Sequence, residues 1–167
     1  MKEATFGEAM RRKYPEWVVL VVTVDSRGQV DIMPAGWAMI ASGSPPMFAI
    51  AVGHTRYTHE LIEKGKEFVI AFPAPGMEEA TLYCGTNSGR DVNKLRNTNL
   101  QTAPARHVKP PLIQRATINL ECRLAGAIRS GDHTIFVGEV VASHVDDSAP
   151  KHLVNFGNNY FAAAKPA

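Results

Sequence analysis

Cysteine is scarce: Cys84 and Cys122 are the only two in 167 residues, and they lie far apart in the chain. Neither a CxxC pair nor a Cys/His pair at ligand spacing occurs, so neither a metal site nor a disulfide framework is expected. Reduced thiols in a cytoplasmic protein are the expectation. Charge of one sign is also lacking, since 18 Lys and Arg face 16 Asp and Glu for a net charge of +2. With no dense basic run, a nucleic-acid partner is not supported. The longest apolar run, Trp17–Val24, falls far short of the roughly 20 residues that a membrane-crossing helix needs. It follows a charged, helical-looking start over Met1–Pro15 with no small-residue cleavage site, so neither a membrane anchor nor a secretory signal is expected. Catalytic signatures are missing as well. The chain contains no GxSxG elbow, HExxH or P-loop, and no GxGxxG follows a strand. Its six histidines do not cluster at ligand spacing.

What remains is a chain of ordinary globular composition, 45% hydrophobic and 20% charged, whose length suits one domain over residues 1–167. Trp17–Val24 is β-branched and apolar on both faces, as a buried strand should be. Asp25–Gly28 reads as a turn and Gln29–Met33 as a return strand, with Pro34 and Gly36 expected to break the ladder. Trp37–Ala41 resumes it, Ser44-Pro45-Pro46 stops it, and Met47–Val52 is a further buried strand. A short helix is expected from about Tyr57 to Lys64, with Thr55 as N-cap and Gly65 just past its end. Glu67–Phe72 reads as a strand and Met77–Cys84 as helical. Gly85–Asn99 is loop-like, with room for one helical turn near Val92–Leu95. Ala103–Pro111 should run extended. Thr117–Ile128 and Thr134–Val145 form long strands around a Ser130–His133 hairpin. Strands joined by tight turns without βαβ repeats favour a mainly β, antiparallel sheet or closed barrel with helices at its rim.

Four stretches carry chemistry, and each has a plain structural alternative. Thr55-Arg56-Tyr57-Thr58 puts a guanidinium and two hydroxyls where a helix leaves a buried strand, a place that favours an anion; an N-cap with a solvated arginine gives the same pattern. Cys84–Arg90 is rich in small residues that let backbone amides approach a ligand, with Lys94 downstream; a surface loop explains it equally. Met33-Pro-Ala-Gly-Trp37 interrupts a strand and delivers a flat indole, as a bulge with a core tryptophan also would. Gly131-Asp132-His133 is hairpin chemistry that also presents an imidazole. Together they describe a phosphorylated planar ligand on a β scaffold without acid–base machinery.

The order of these stretches, with Ser44–Pro46, Glu67–Ile70, Glu121-Cys122 and Gly138–Val140, resembles the flavin-reductase-like, FMN-binding split-barrel family, and within it the flavoredoxin-like branch. The resemblance runs from about Trp17 to Phe161. It implies an antiparallel Greek-key split barrel that dimerises and binds FMN non-covalently near the subunit interface. It further implies that Met33 belongs to the flavin site, that Ala35, Gly36, Trp37 and Ala38 lie along the isoalloxazine with Trp37 near the ring or ribityl chain, and that Arg56 and Thr58 meet the phosphate with Tyr57 beside it. Ser88, Gly89 and Lys94 would close the phosphate side. Tyr160 and Phe161 would pack at the flavin or the dimer interface, and His133 would position a nicotinamide. One departure stands out. The family often has Asn where this chain has Asp31, and a carboxylate there must point away, be paired, or weaken binding.

The resemblance implies a reductase that passes hydride from NAD(P)H to flavin N5 and delivers electrons to an acceptor or a partner oxygenase. An electron carrier with tightly held FMN is the second reading, and a module without flavin the third.

Overall fold

The structure is a computed structural model and describes residues 1–149 and 151–163. The long apolar run becomes β2 (Val19–Val24), preceded by the short helix α1 (Phe6–Met10) and by β1 (Glu16–Trp17). Asp25 then turns the chain, its Oδ1 accepting the N–H groups of Arg27 and Gln29 at 2.8 Å each. This sends β3 (Val30–Ala35) back antiparallel to β2. Two more hairpins follow the same logic. One joins β4 (Ala38–Gly43) to β5 (Pro46–Gly53), and the other joins β9 (Ile118–Ser130) to β10 (His133–Val145) across Gly131 and Asp132.

With β6 (Glu67–Phe72) these strands make one seven-stranded antiparallel sheet in the order β3-β2-β6-β9-β10-β5-β4. Helix α2 (Tyr57–Gly65) carries the chain from β5 to β6 past the two strands that later fill the gap, which is a Greek-key connection. Helix α3 (Glu78–Thr86) follows β6. Two short strands, β7 (Thr102–Ala103) and β8 (Leu112–Ile113), pair with each other. At the C-terminal end β11 (Leu153–Asn155) and β12 (Phe161–Ala163) form a separate three-stranded sheet with β1. The chain is therefore mainly β and antiparallel, as its turn signals predict.

Strand β2 is buried on both faces, which explains why its sequence does not alternate. Val19 and Val21 pack inside the barrel against Phe48, Ile50, Phe68, Ile70 and Phe136. Leu20 and Val22 face the other way, onto Ile32, Val69 and Ala71 under Ala80 and Cys84 of α3. Each such side chain contributes roughly 1.5–3 kcal/mol when fully buried. Gly138 lies where β10 crosses Phe68. A Cβ there would stand 2.5 Å from Phe68 Cζ and 2.9 Å from Cys122 Cβ, so the barrel closes only around a bare backbone. Both thiols sit in this packing, and burial pushes Cys84 up to about 11 and Cys122 to about 12.

The proline-rich segment after β7 is tied to the sheet by a buried carboxylate. Glu121 accepts the N–H groups of Arg106 (3.0 Å) and His107 (2.6 Å), and its Oε1 meets His144 Nε2 at 2.7 Å. Burial pushes this carboxyl up, but the backbone donors and His144 together outweigh it and hold Glu121 below the ordinary value.

Three local expectations change. Pro34 does not break the ladder, because β3 is an edge strand whose outer side needs no donor, and Pro34 keeps its register opposite Leu20. The N-cap of α2 is Arg56 rather than Thr55, and Lys66, not Gly65, takes the left-handed position after the helix at φ 58°. Residues Val92–Leu95 form turns without a helix.

Candidate functional site

The buried strand β5 ends at Gly53. The chain then turns through a hydrogen bond from Arg56 N–H to Gly53 O (3.0 Å) and enters α2. Arg56 is extended (φ −75°, ψ 139°), and no side chain caps the helix. The positive end of α2 is thus left for another acceptor. Opposite it, α3 runs out at Thr86, and Ser88 O gathers the N–H groups of Asp91 and Val92 (3.0 and 3.1 Å) into a tight turn. The two segments face each other across a cleft of about 280 Å³ lined by Met33, Arg56, Tyr57, Thr58, Ser88, Gly89, Arg90 and Lys94, with Asp31 at its floor. Gly89 sits directly on Asp31, for a Cβ there would stand 2.9 Å from the carboxylate carbon.

The floor is a buried polar triad. Thr58 Oγ1 donates to Asp31 Oδ2 at 2.6 Å. Lys94 Nζ stands 2.8 Å from Asp31 Oδ1 in a buried ion pair. The same ammonium donates to Ile32 O at 2.7 Å. Asp31 is therefore paired, and Lys94 is committed to it instead of standing open at the phosphate side.

The cleft's second arginine is Arg90. Its guanidinium bridges Thr55 O and Glu60 Oε2, both at 3.2 Å, and lies over the Tyr57 ring at 4.9 Å. Burial of Tyr57 raises its hydroxyl pKa, and the carboxylates of Asp25 and Glu60 add to the rise. The sequence showed Arg90 next to Ser88-Gly89, but its long-range contacts with Thr55 and with Glu60 of α2 have no local signal.

A flat apolar wall stands next to this cleft. Trp37, in the connection from β3 to β4, is half exposed, and its ring lies 4.7 Å from that of His133. Trp37 O accepts Ala51 N–H at 2.9 Å, and Trp17 Nε1 donates to Ala38 O at 2.9 Å, so both strand ends are fixed. A slot of about 260 Å³ opens here, lined by Trp37, Ala38, Met39, Ala49, Ile50, Ala51 and Ile135. His133 Nδ1 meets Asp132 Oδ1 at 2.6 Å, and this contact holds the Asp132 carboxyl below its ordinary value. A Cβ on Gly53 would stand 3.6 Å from His133 Nε2 and 3.7 Å from Arg56 Cγ. The wall and the cleft thus meet across one glycine.

Of the residues singled out in the sequence, Met33, Arg56, Tyr57, Thr58, Ser88, Gly89 and Lys94 converge on the cleft, and Trp37, Ala38 and His133 on the wall beside it. Ala35 turns into the barrel core, and Gly36 is covered by Glu16. Tyr160 and Phe161 line neither space. Phe161 belongs to β12 and packs on the core under α3, while Tyr160 lies against Phe156.

A cleft with guanidinium groups and an uncapped helix start, joined to an apolar slot under an exposed indole, fits a planar ring carrying a phosphate. Residues 10–164 match the family described as "Flavin reductase like domain". The chain belongs to that family, a class of β proteins built on the split barrel described above. It is 38% identical over 128 residues to an uncharacterised protein of Archaeoglobus fulgidus, covering 77% of this chain and 71% of that one. It is 30% identical to an NADH-dependent FAD reductase of Streptomyces globisporus, over 75% of this chain and 68% of the relative. Among solved structures, the flavoredoxin of Desulfovibrio vulgaris (Miyazaki F) superposes with a TM-score of 0.86 at 25% identity, covering 100% of this chain and 95% of that one. An FMN-binding protein of Thermus thermophilus superposes with a TM-score of 0.83 at 26% identity, covering 98% and 93%. No helix among the described residues is long and apolar enough to cross a membrane.

Proposed function

We propose that the chain binds FMN non-covalently, its phosphate between Arg56 and the Ser88–Gly89 turn and its ring system along Trp37, and that it reduces this flavin with NAD(P)H. The observation that carries the reading is the meeting of the phosphate-type cleft and the aromatic wall across Gly53. When bound, the flavin supplies a hydride acceptor at N5 for the nicotinamide.

The protein's own contribution is orientation and electrostatics. Arg56 reaches the cleft from outside and supplies a planar fork suited to phosphate oxygens. The start of α2 and residues Ser88 and Gly89 add backbone N–H groups. Trp37 fixes the plane in which a ring can lie. His133, with its Nδ1 side held by Asp132, keeps Nε2 directed at Gly53 and free to accept an amide N–H from a nicotinamide. Hydride transfer needs no protein nucleophile, so the catalytic effect of these residues is proximity.

Electrons leave through an acceptor molecule or a partner oxygenase, and a cytoplasmic homodimer is part of the same proposal. The likeness to a flavoredoxin favours a second reading, a carrier in which FMN stays bound and NAD(P)H reacts poorly. Anaerobic stopped-flow mixing separates them. Bleaching of the flavin band within the mixing series by NADH or NADPH supports the reductase, and a band that persists through both supports the carrier.

A further inference from the structure

We infer that Asp31 sets how strongly this cleft discriminates flavins by their phosphate, by consuming the charge of Lys94 and the hydroxyl proton of Thr58. The inference rests on the reading that the cleft holds a flavin phosphate. All three side chains are buried, at 1% (Asp31), 3% (Lys94) and 1% (Thr58) exposure. The ion pair at 2.8 Å sums to no charge, so Lys94 adds little field at the cleft. A hydroxyl has a single proton, and Thr58 spends it on Asp31 Oδ2 at 2.6 Å. Toward a ligand Thr58 presents only lone pairs, which suit an O–H donor and oppose a dianionic phosphate oxygen.

The phosphate is then left to Arg56, to backbone N–H groups, and to Arg90, whose charge Glu60 already shares. The cleft contains a full set of phosphate-type residues, yet its floor is electrically neutral. Its ligand class is accordingly flavins with or without a phosphate, and the preference for FMN over riboflavin is only what Arg56, Arg90 and the backbone N–H groups supply, with nothing added by Lys94 or Thr58.

The test is the ratio of riboflavin to FMN dissociation constants, read by fluorescence titration with the full chain. Asp31→Asn removes the carboxylate, leaves Lys94 charged, and should raise the ratio about tenfold, the worth of one charge-assisted hydrogen bond. The variant Asp31→Asn with Lys94→Met removes both charges and should return the ratio to within about threefold of wild type. A single variant whose ratio is unchanged or lower overturns the inference. So does a double variant whose ratio falls about tenfold below wild type, since Lys94 would then be gripping the phosphate itself. If Asp31→Asn alone fails to fold with its buried unpaired ammonium, the double variant decides the matter by the same criterion. Wild-type protein that binds neither flavin overturns the flavin reading, and this inference with it.

Discussion

Removing the Arg56 guanidinium isolates the phosphate end of the site. Arg56 is exposed at the mouth of the cleft, makes no ion pair among the described residues, and lies 3.7 Å from the position of a Gly53 Cβ. Its loss should therefore leave the fold intact. A charge-assisted hydrogen bond is worth about 1.5–3 kcal/mol. Solvent access at the rim places Arg56 near the lower end, and 1.4 kcal/mol is a factor of ten. Arg56→Ala should thus weaken FMN at least about tenfold without abolishing binding, because Arg90 remains. Arg56→Lys keeps the charge but loses the fork, and should fall between the two. The assay is quenching of flavin fluorescence at low and high salt, with riboflavin in parallel. Salt should weaken FMN more in the wild type than in Arg56→Ala, since screening acts on the charge that was removed. Unchanged FMN affinity, or equal losses for FMN and riboflavin, would refute a phosphate role for Arg56.

Three further outcomes follow from the geometry. His133→Ala should slow the reaction with NAD(P)H while FMN affinity stays close to wild type, and equal loss in both would assign the imidazole to the flavin or the fold. Gly138→Ala should lower Tm by several degrees, since a Cβ 2.5 Å from Phe68 Cζ forces repacking that costs about 1–3 kcal/mol; an unchanged melting curve contradicts the close approach. Glu121 is held below its ordinary value of 4.5, so its stabilising contribution is present above that pH and is lost as pH falls through the depressed folded-state value. Glu121→Gln should destabilise the protein by about 1–3 kcal/mol at pH 7 in urea titrations. The gap from wild type should shrink below pH 4.5, and a gap that stays constant into acid argues against the carboxylate.

The parts of the fold that could be read from the sequence are those with local causes. The hairpin at Gly131-Asp132, the unbroken apolar strand at Val19–Val24 and the helix from Tyr57 each carry their reason within a dozen residues. Pro34 misled because the sequence does not say which strand forms an edge. Thr55 misled by one residue because a capping side chain and a cap position look alike in sequence. At the site, residue types singled out Arg56, which does line a cleft, and Trp37, whose indole does stand half exposed beside it. The partner of Lys94 was not legible, since Asp31 lies 63 residues earlier in the chain and only the register of β3 against the Ser88–Lys94 loop brings them together. Arg90 was hidden for the same reason, because its acceptors on Thr55 and Glu60 belong to another element.

A crystal structure of the protein with FMN tests the central claim most directly. The account predicts the phosphate within hydrogen-bond distance of Arg56 and the Ser88–Gly89 turn, with the isoalloxazine along Trp37 and beside His133. Flavin bound elsewhere on the barrel, or seated with its phosphate away from Arg56, would contradict it.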